Sequence, residues 1–384
     1  MKSFKFKRVL TTFSAVFCLA VSPYVSAQTS SALSTKEVMR SAFQSLSYLI
    51  EVAMDAEFDH SDDPEFTSAL DQLASISGQI GEHTGSKVYS MDLVARSLET
   101  NVNQLVSNYK AGFDGIGEVY LVETIDHCAA CHSQSPEIAA TLDVDQFVQK
   151  VREEKLDSSL AARMMVAVRK FPEALQIWER RLLNKDFSLK SDGAEEAVLE
   201  YIYQAIQLEA GAQSVANVLN SLVQGEEVPY YFKRKLETWG KQIALIEKVN
   251  MDSISLDTIE STNEACRRLE SDSLRREFPV CNILVSNLSS NMLRHGSNLS
   301  PETDASLYVN LGVTRMNMGL PSSYVPQVER FFEAAILAAP GSDASKTAFS
   351  HLEELSYYFY GDLELADEVM DISIEGLRSL AEIN

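Results

Sequence analysis

Apolar residues return every third or fourth position along almost all of this 384-residue chain, and only 10 prolines and 16 glycines interrupt them. A period near 3.6 belongs to helices with one face on a core, whereas a half-buried strand alternates every second residue. The spacing therefore predicts an all-α protein. Its length suits two domains, or one domain joined to a helical array, at roughly 100 to 200 residues each.

Four amphipathic segments come first. One runs from about Thr35 to Ala56, with Met39, Ala42, Phe43, Leu46, Leu49, Ile50 and Ala53 on one face. Asp63 is placed to cap a second, with Pro64 in its first turn and a stripe of Phe66, Leu70, Leu73, Ser77 and Ile80. Gly81 to Ser86 reads as the following turn, and Ser90 as the cap of a third segment, whose stripe of Val94, Leu98, Val102 and Leu105 ends at Ala111-Gly112. The fourth, from about Ile116 to Ser133, carries Val119, Tyr120, Glu123, Thr124 and His127 into Cys128-Ala129-Ala130-Cys131-His132, and Gly115 and Gly117 weaken its start. Short links between helices of similar length favour an up-down-up-down bundle.

The chain opens like an export signal: Lys2, Lys5, Lys7 and Arg8 precede an apolar run from Val9 to Val21, and Val25-Ser26-Ala27 form a small-residue cleavage site. Cleavage there starts the mature chain near Gln28 and places it in the periplasm; Cys18 leaves with the signal. The apolar run falls short of a bilayer span of roughly 20 residues, and no later segment replaces it. Losing four basic residues takes the net charge from -22 to -26. Nucleic acid is excluded as a partner, because its phosphates would be repelled, whereas a protein with a basic docking surface would be attracted.

Two cysteines two residues apart, followed at once by histidine, form the attachment signature of c-type haem. On a helix Cys128 and Cys131 lie one turn apart and can bond the two vinyl groups, while His132 reaches the iron. A zinc site needs about four ligands, usually from a second such pair, and the sequence holds no second C-x-x-C. A thioredoxin-like dithiol follows a strand, and this one sits in helical surroundings. One covalent haem c per chain is the expectation.

A class I cytochrome has this motif near the start of its domain; here about a hundred residues with four-helix periodicity precede it. In that placement of Cys128, Cys131 and His132 at the end of a fourth helix, residues 28–136 resemble the class II cytochrome c family, which includes cytochrome c′ and c556-like proteins. The resemblance implies a haem inside a four-helix bundle. The chain departs from the family in one place: Ser133-Gln134-Ser135-Pro136 follows the histidine where a basic residue is usual. Bundle topology brings the start of the first helix to the end of the fourth, so Met39 is the candidate sixth ligand, in agreement with c556-like and b562-like proteins. Met91 is the runner-up, and Met54 belongs at the far end. His83 is a lesser ligand candidate, and His60, His295 and His351 are expected to be exposed or capping residues.

The expected domains are a signal peptide at 1–27, a haem domain at 28–140 and a helical domain at 141–384. In the last, Leu160–Arg169 leads through Lys170-Phe171-Pro172 to Ala174, Trp178 and Leu182; Tyr308, Leu311 and Gly312 precede Val328, Phe332 and Ala335; and Phe349–Tyr360 precedes Ala366, Met370 and Ser373. These spacings resemble degenerate tetratricopeptide repeats, with Leu320–Pro326 as an insertion and Ser191–Ser290 fitting loosely. Tyr357 to Tyr360 are expected to pack between helices. Cys266 and Cys281 are the disulfide candidates in an oxidising compartment.

No nucleophile triad, phosphate loop or paired-carboxylate signature points to an enzyme. The leading expectation is an electron carrier whose helical repeats dock a redox partner. A haem enzyme or gas-binding protein with an open iron, and a repeat scaffold with the haem as accessory, are the alternatives.

Overall fold

The computed structural model describes residues 34–53, 63–84, 89–133, 158–208, 210–225, 228–269, 279–296, 299–317, 325–360 and 374–382, with backbone alone at 81–84, 89–93, 252, 325–327 and 358–360. The proposed signal peptide, Met54, His60, Pro136 and most of the insertion and of the segment after Tyr360 lie outside the described residues. Every regular element among the described residues is a helix.

The first four are α1 (Thr35–Ala53), α2 (Pro64–Thr84), α3 (Tyr89–Lys110) and α4 (Asp114–Ser133). A capping box starts α1: the Glu37 carboxylate accepts from Ser34 N–H at 2.8 Å, and Ser34 Oγ accepts from Glu37 N–H at 3.4 Å. Asp63 caps α2 by accepting from Glu65 N–H at 2.8 Å. Ser90, by contrast, lies inside α3, which begins at Tyr89, and α2 runs on to Thr84 through the first residues of the expected turn. Gly112, at φ 77°, ends α3 in the left-handed region, and Phe113 N–H returns to Asn108 O at 2.9 Å. That tight turn lays α4 antiparallel on α3.

Contacts join α1 to α2, α2 to α3, α3 to α4 and α4 back to α1, so the four close into a ring. Inside it lie Leu46, Leu49, Phe66, Leu70, Leu73, Val102, Leu105 and Ile125, all buried. Val119 departs from its stripe and is 53% exposed. Gly117 is explained by its neighbour: a Cβ there would lie 2.7 Å from the Tyr109 ring.

The chain continues as α5 (Ser158–Ala167), α6 (Phe171–Leu182), α7 (Ala194–Gln207), α8 (Ala212–Val223), α9 (Tyr230–Ile243), α10 (Leu256–Leu269), α11 (Pro279–His295), α12 (Pro301–Met316), α13 (Val325–Ala338), α14 (Asp343–Tyr360) and α15 (Ile374–Leu380). Consecutive helices pack on one another through most of this series, as short connections dictate. The stretch from Ser191 to Ser290, which fits the repeat spacing loosely, nevertheless forms α7 to α11. Trp178, Tyr201, Phe232 and Trp239 fill one core, and Phe331, Phe332 and Phe349 another. Gly312 on α12 meets the Phe332 ring of α13 so closely that a Cβ would lie 2.5 Å from it. Cys266 on α10 and Cys281 on α11 are bonded, with Cα atoms 5.6 Å apart. His351 is stacked on Phe332 with ring centroids 5.4 Å apart, not simply exposed, and Tyr357 faces solvent at 56% exposure instead of packing between helices.

Helix α4 belongs to both halves. Its Ala129 joins the core of the later helices, while Leu160 and Met164 of α5 join the bundle core, and α13 packs against α3.

Candidate cofactor site

The second half of α4 is buried on all sides: Glu123, Thr124, Ile125, Asp126, His127, Ala129 and Ala130 are all inaccessible or nearly so. A helix on a bundle surface would keep a polar face. Here α5 covers that face, so the polar residues on it must find partners inside the protein.

Most do. Asn101 of α3 donates to Tyr120 O at 2.9 Å and to Thr124 Oγ1 at 2.8 Å, fastening α3 to α4. Arg163 of α5 donates to both Asp126 carboxylate oxygens at 2.7 and 3.0 Å. Arg163 Nε also lies 3.6 Å from Glu200, whose carboxylate accepts from Ser159 Oγ at 2.6 and 2.7 Å. Burial outweighs the arginine at Asp126 and pushes its pKa up to about 6. Glu123 is pushed up to about 7 by burial and by the charge of Asp126.

At one end of the bundle, α1 contributes Met39, Ala42, Phe43 and Leu46, and α4 contributes Thr124, His127, Cys128, Cys131 and His132 to the lining of a cavity. Leu73, Ser77 and Ile80 of α2, Val94, Leu98 and Val102 of α3, and Ala167 of α5 complete it. Met39 and Phe43 are the half-buried members of the α1 stripe, and both border this space. The side chains of Met91 and His83 lie outside the described residues.

Each motif residue has a defined state. Cys128 and Cys131 are free thiols, not a disulfide. Burial pushes the Cys128 thiol up to about 12 and raises Cys131 too. A redox-active dithiol has the opposite property, a thiolate stabilised at low pH. The His132 Nδ1 lies 2.6 Å from the carbonyl of Ala167, in the last turn of α5, where helix carbonyls lack N–H partners. Facing a carbonyl, Nδ1 carries the proton and Nε2 keeps the lone pair. Burial, with the nearby charge of Arg169, lowers the His132 pKa to about 4, so the ring is neutral at physiological pH.

Sequence reasoning gave His127 no role, yet it is 1% exposed and borders the cavity. Its Nδ1 lies 2.8 Å from Glu123 O, one turn back, and its Nε2 is buried without a hydrogen-bond partner. Burial, then the charge of Arg315, lowers its pKa to about 4. The signal for it was local: a histidine immediately before Cys128, after a run of polar residues that no amphipathic stripe accommodates.

The donor chemistry fits a covalent haem: two protonated thiols one turn apart, a neutral imidazole with a fixed tautomer, and a thioether from α1 in the same apolar lining. The space is tighter. The cavity measures about 50 Å³, against about 300 to 1,000 Å³ for ordinary ligand pockets, so a porphyrin enters only as the lining side chains turn aside.

Comparison with known proteins yields no match to a family model, a curated protein or a solved structure. The reading of this site rests on its residues and their geometry.

Proposed function

We propose that the chain is a mono-haem c-type cytochrome, exported to the periplasm, that carries electrons to or from a protein partner. The observation that carries this reading is the His132 imidazole, oriented by the Ala167 carbonyl at 2.6 Å beside the free Cys128 and Cys131 thiols. When bound, haem c supplies a one-electron couple at its iron. The protein's part is to hold and tune it. The hydrogen bond to Ala167 orients His132 and raises its basicity as a ligand, and the apolar lining limits water, which favours the less charged ferrous state. Met39, which lines the same cavity from α1, is the proposed sixth ligand.

The close meeting of Gly312 with Phe332 supports tetratricopeptide-like stacking in the C-terminal helices, because such repeats interlock small residues with aromatic ones. A net charge of -26, once the four basic residues of the signal are removed from the -22 of the full chain, suits a partner with a basic docking surface. No described helix is long and apolar enough to cross a membrane.

Mass spectrometry and haem staining of the protein from a periplasm that matures c-type cytochromes test the attachment, with one haem per chain expected; apo mass alone refutes it. Absorption and magnetic spectra of wild type and Met39→Ala test the ligand. Five-coordinate ferric iron in the wild type, or an unchanged low-spin spectrum in the variant, removes Met39. His127 favours a second reading, a haem that binds small ligands, because its unpaired Nε2 puts a polar group on the cavity wall. Carbon monoxide binding to the ferrous protein, weakened by His127→Leu, would select it.

A further inference from the structure

The turn that ends α5 carries an arginine where glycine fits best. Arg169 N–H donates to Val166 O at 2.9 Å and Lys170 N–H to Met165 O at 2.8 Å, the paired bonds that close a helix on a left-handed residue. Arg169 is that residue, with φ 62°. In this conformation the Cβ of a side chain crowds the carbonyl that follows it, which is why glycine usually stands there. Gly112 does so at the end of α3, with φ 77°. A residue held in a strained conformation points to a use for its side chain.

The surroundings of Arg169 say what that use is. Two residues earlier in the same turn, the Ala167 carbonyl lies 2.6 Å from His132 Nδ1, so the turn that strains the arginine also orients the imidazole. Its charge reaches the motif from there. After burial it is the next cause of the low His132 pKa, and it offsets part of the burial that raises the Cys131 thiol. Arg169 is half-buried, so water screens this charge less than at an exposed site. No aspartate, glutamate, lysine or arginine lines the cavity itself, and the buried Asp126 carboxylate is matched by Arg163.

We propose that Arg169 tunes the redox couple: its guanidinium charge, fixed beside His132 by the turn that ends α5, favours the ferrous state and raises the reduction potential. The sign follows from charge alone. The iron centre carries one more positive charge when ferric than when ferrous, so a fixed cation nearby penalises the ferric form. Arginine supplies a cation that does not titrate, which keeps the effect constant with pH. The inference rests on the haem reading and adds to it a residue from outside the four-helix bundle.

Potentiometric titration of the matured full-length protein, wild type against Arg169→Gln, tests it, with covalent attachment read first by haem staining. Removing the charge should lower the potential by about 28 mV or more, a threefold shift in the ferric-to-ferrous ratio at about 59 mV per tenfold. Arg169→Lys keeps the charge and should lose less than half as much. Arg169→Gly removes the charge and relaxes the turn. Its potential should fall as far as that of Arg169→Gln, while its haem-free chain should unfold at an equal or higher urea concentration than wild type. It also carries the potential measurement should Arg169→Gln mature poorly. An unchanged potential in the chargeless variants, or a loss in Arg169→Lys equal to theirs, overturns the proposal and leaves the haem reading standing. So does a haem-free Arg169→Gly chain that unfolds earlier than wild type, because the side chain would then be a clamp on the turn. A wild-type protein without covalent haem ends both.

Discussion

The two ends of the four-helix bundle are built on opposite plans. At the end formed by the start of α2, the finish of α3 and the start of α4, Phe66 and Tyr109 meet edge to face with centroids 5.0 Å apart, and Gly117 makes room for the tyrosine. At the other end Ala42, Ala95, Ser77 and aliphatic side chains surround a cavity, with Phe43 half-buried beside it and Cys128, Cys131 and His132 in its lining. One end is packed for stability, and the other keeps room at a cost in packing. What compensates the open end is α5: its Arg163 satisfies Asp126, and its last carbonyl satisfies His132.

Matched phenylalanines test the contrast most strongly. Phe66→Ala, at a fully packed site, should cost about 3 to 5 kcal/mol, whereas Phe43→Ala, half-buried beside the cavity, should cost about 1 kcal/mol. Urea unfolding of the two variants, followed by circular dichroism, decides it, and equal losses would mean that the ends do not differ. Arg163→Met should come next, at about 3 kcal/mol, because it strands the Asp126 carboxylate in the interior. Asp126→Asn in the same background should recover part of that loss; a single variant as stable as wild type would show that α5 does not buttress the open end.

Adding bulk should reverse in sign between the ends. Gly117→Ala gains helix propensity of up to about 1 kcal/mol but drives a methyl into the Tyr109 ring, which Phe66 prevents from moving, and should lose about 1 to 2 kcal/mol net. Ala42→Leu, which extends into the cavity, should leave the haem-free chain within about 1 kcal/mol of wild type. It should also cut covalent haem yield, read by staining. A destabilised Ala42→Leu chain with full haem yield would contradict the plan described for that end.

The sequence announces α2 better than α4. The stripe from Phe66 to Ile80 and the Asp63 cap are legible because α2 faces a core on one side and water on the other. The same logic fails on α4: α5 covers the face that should have been polar, so periodicity gives no register there and misassigns Val119. Ala167 acts through a backbone carbonyl, which no side-chain pattern marks. Arg163 becomes meaningful only once α5 lies against Asp126, 37 residues away. The cysteines illustrate a middle case, since Cys266 and Cys281 suggest a bridge in sequence, yet only the antiparallel packing of α10 on α11 brings their Cα atoms to 5.6 Å.

The smallest expected effect is the dependence of the open end on pH. Burial and the neighbouring Asp126 raise the Glu123 pKa from the usual 4.5 to about 7, so the folded chain holds this proton more tightly than the unfolded one. The stability it contributes is fully present below about pH 4.5 and is lost as pH rises through about 7. His127 works in the other direction: its folded pKa, lowered to about 4, gives stability that is present above 6.5 and is lost as pH falls through 4. The two oppose each other between 4.5 and 6.5, and His132, also lowered to about 4, acts with His127, so the Glu123 share is read between pH 6 and 8 as the difference between wild type and Glu123→Gln, in which the histidine contributions cancel. Over that window the stability of the haem-free wild type relative to the haem-free variant should fall by about 1.4 kcal/mol, the value of one unit of proton binding at that site. Asp126, at about 6, adds a smaller loss of the same sign. Glu123→Gln keeps the shape and removes the charge, so the variant lacks this loss. A variant with the wild-type slope would mean that Glu123 is hydrated, and that α5 does not seal α4 as the geometry indicates.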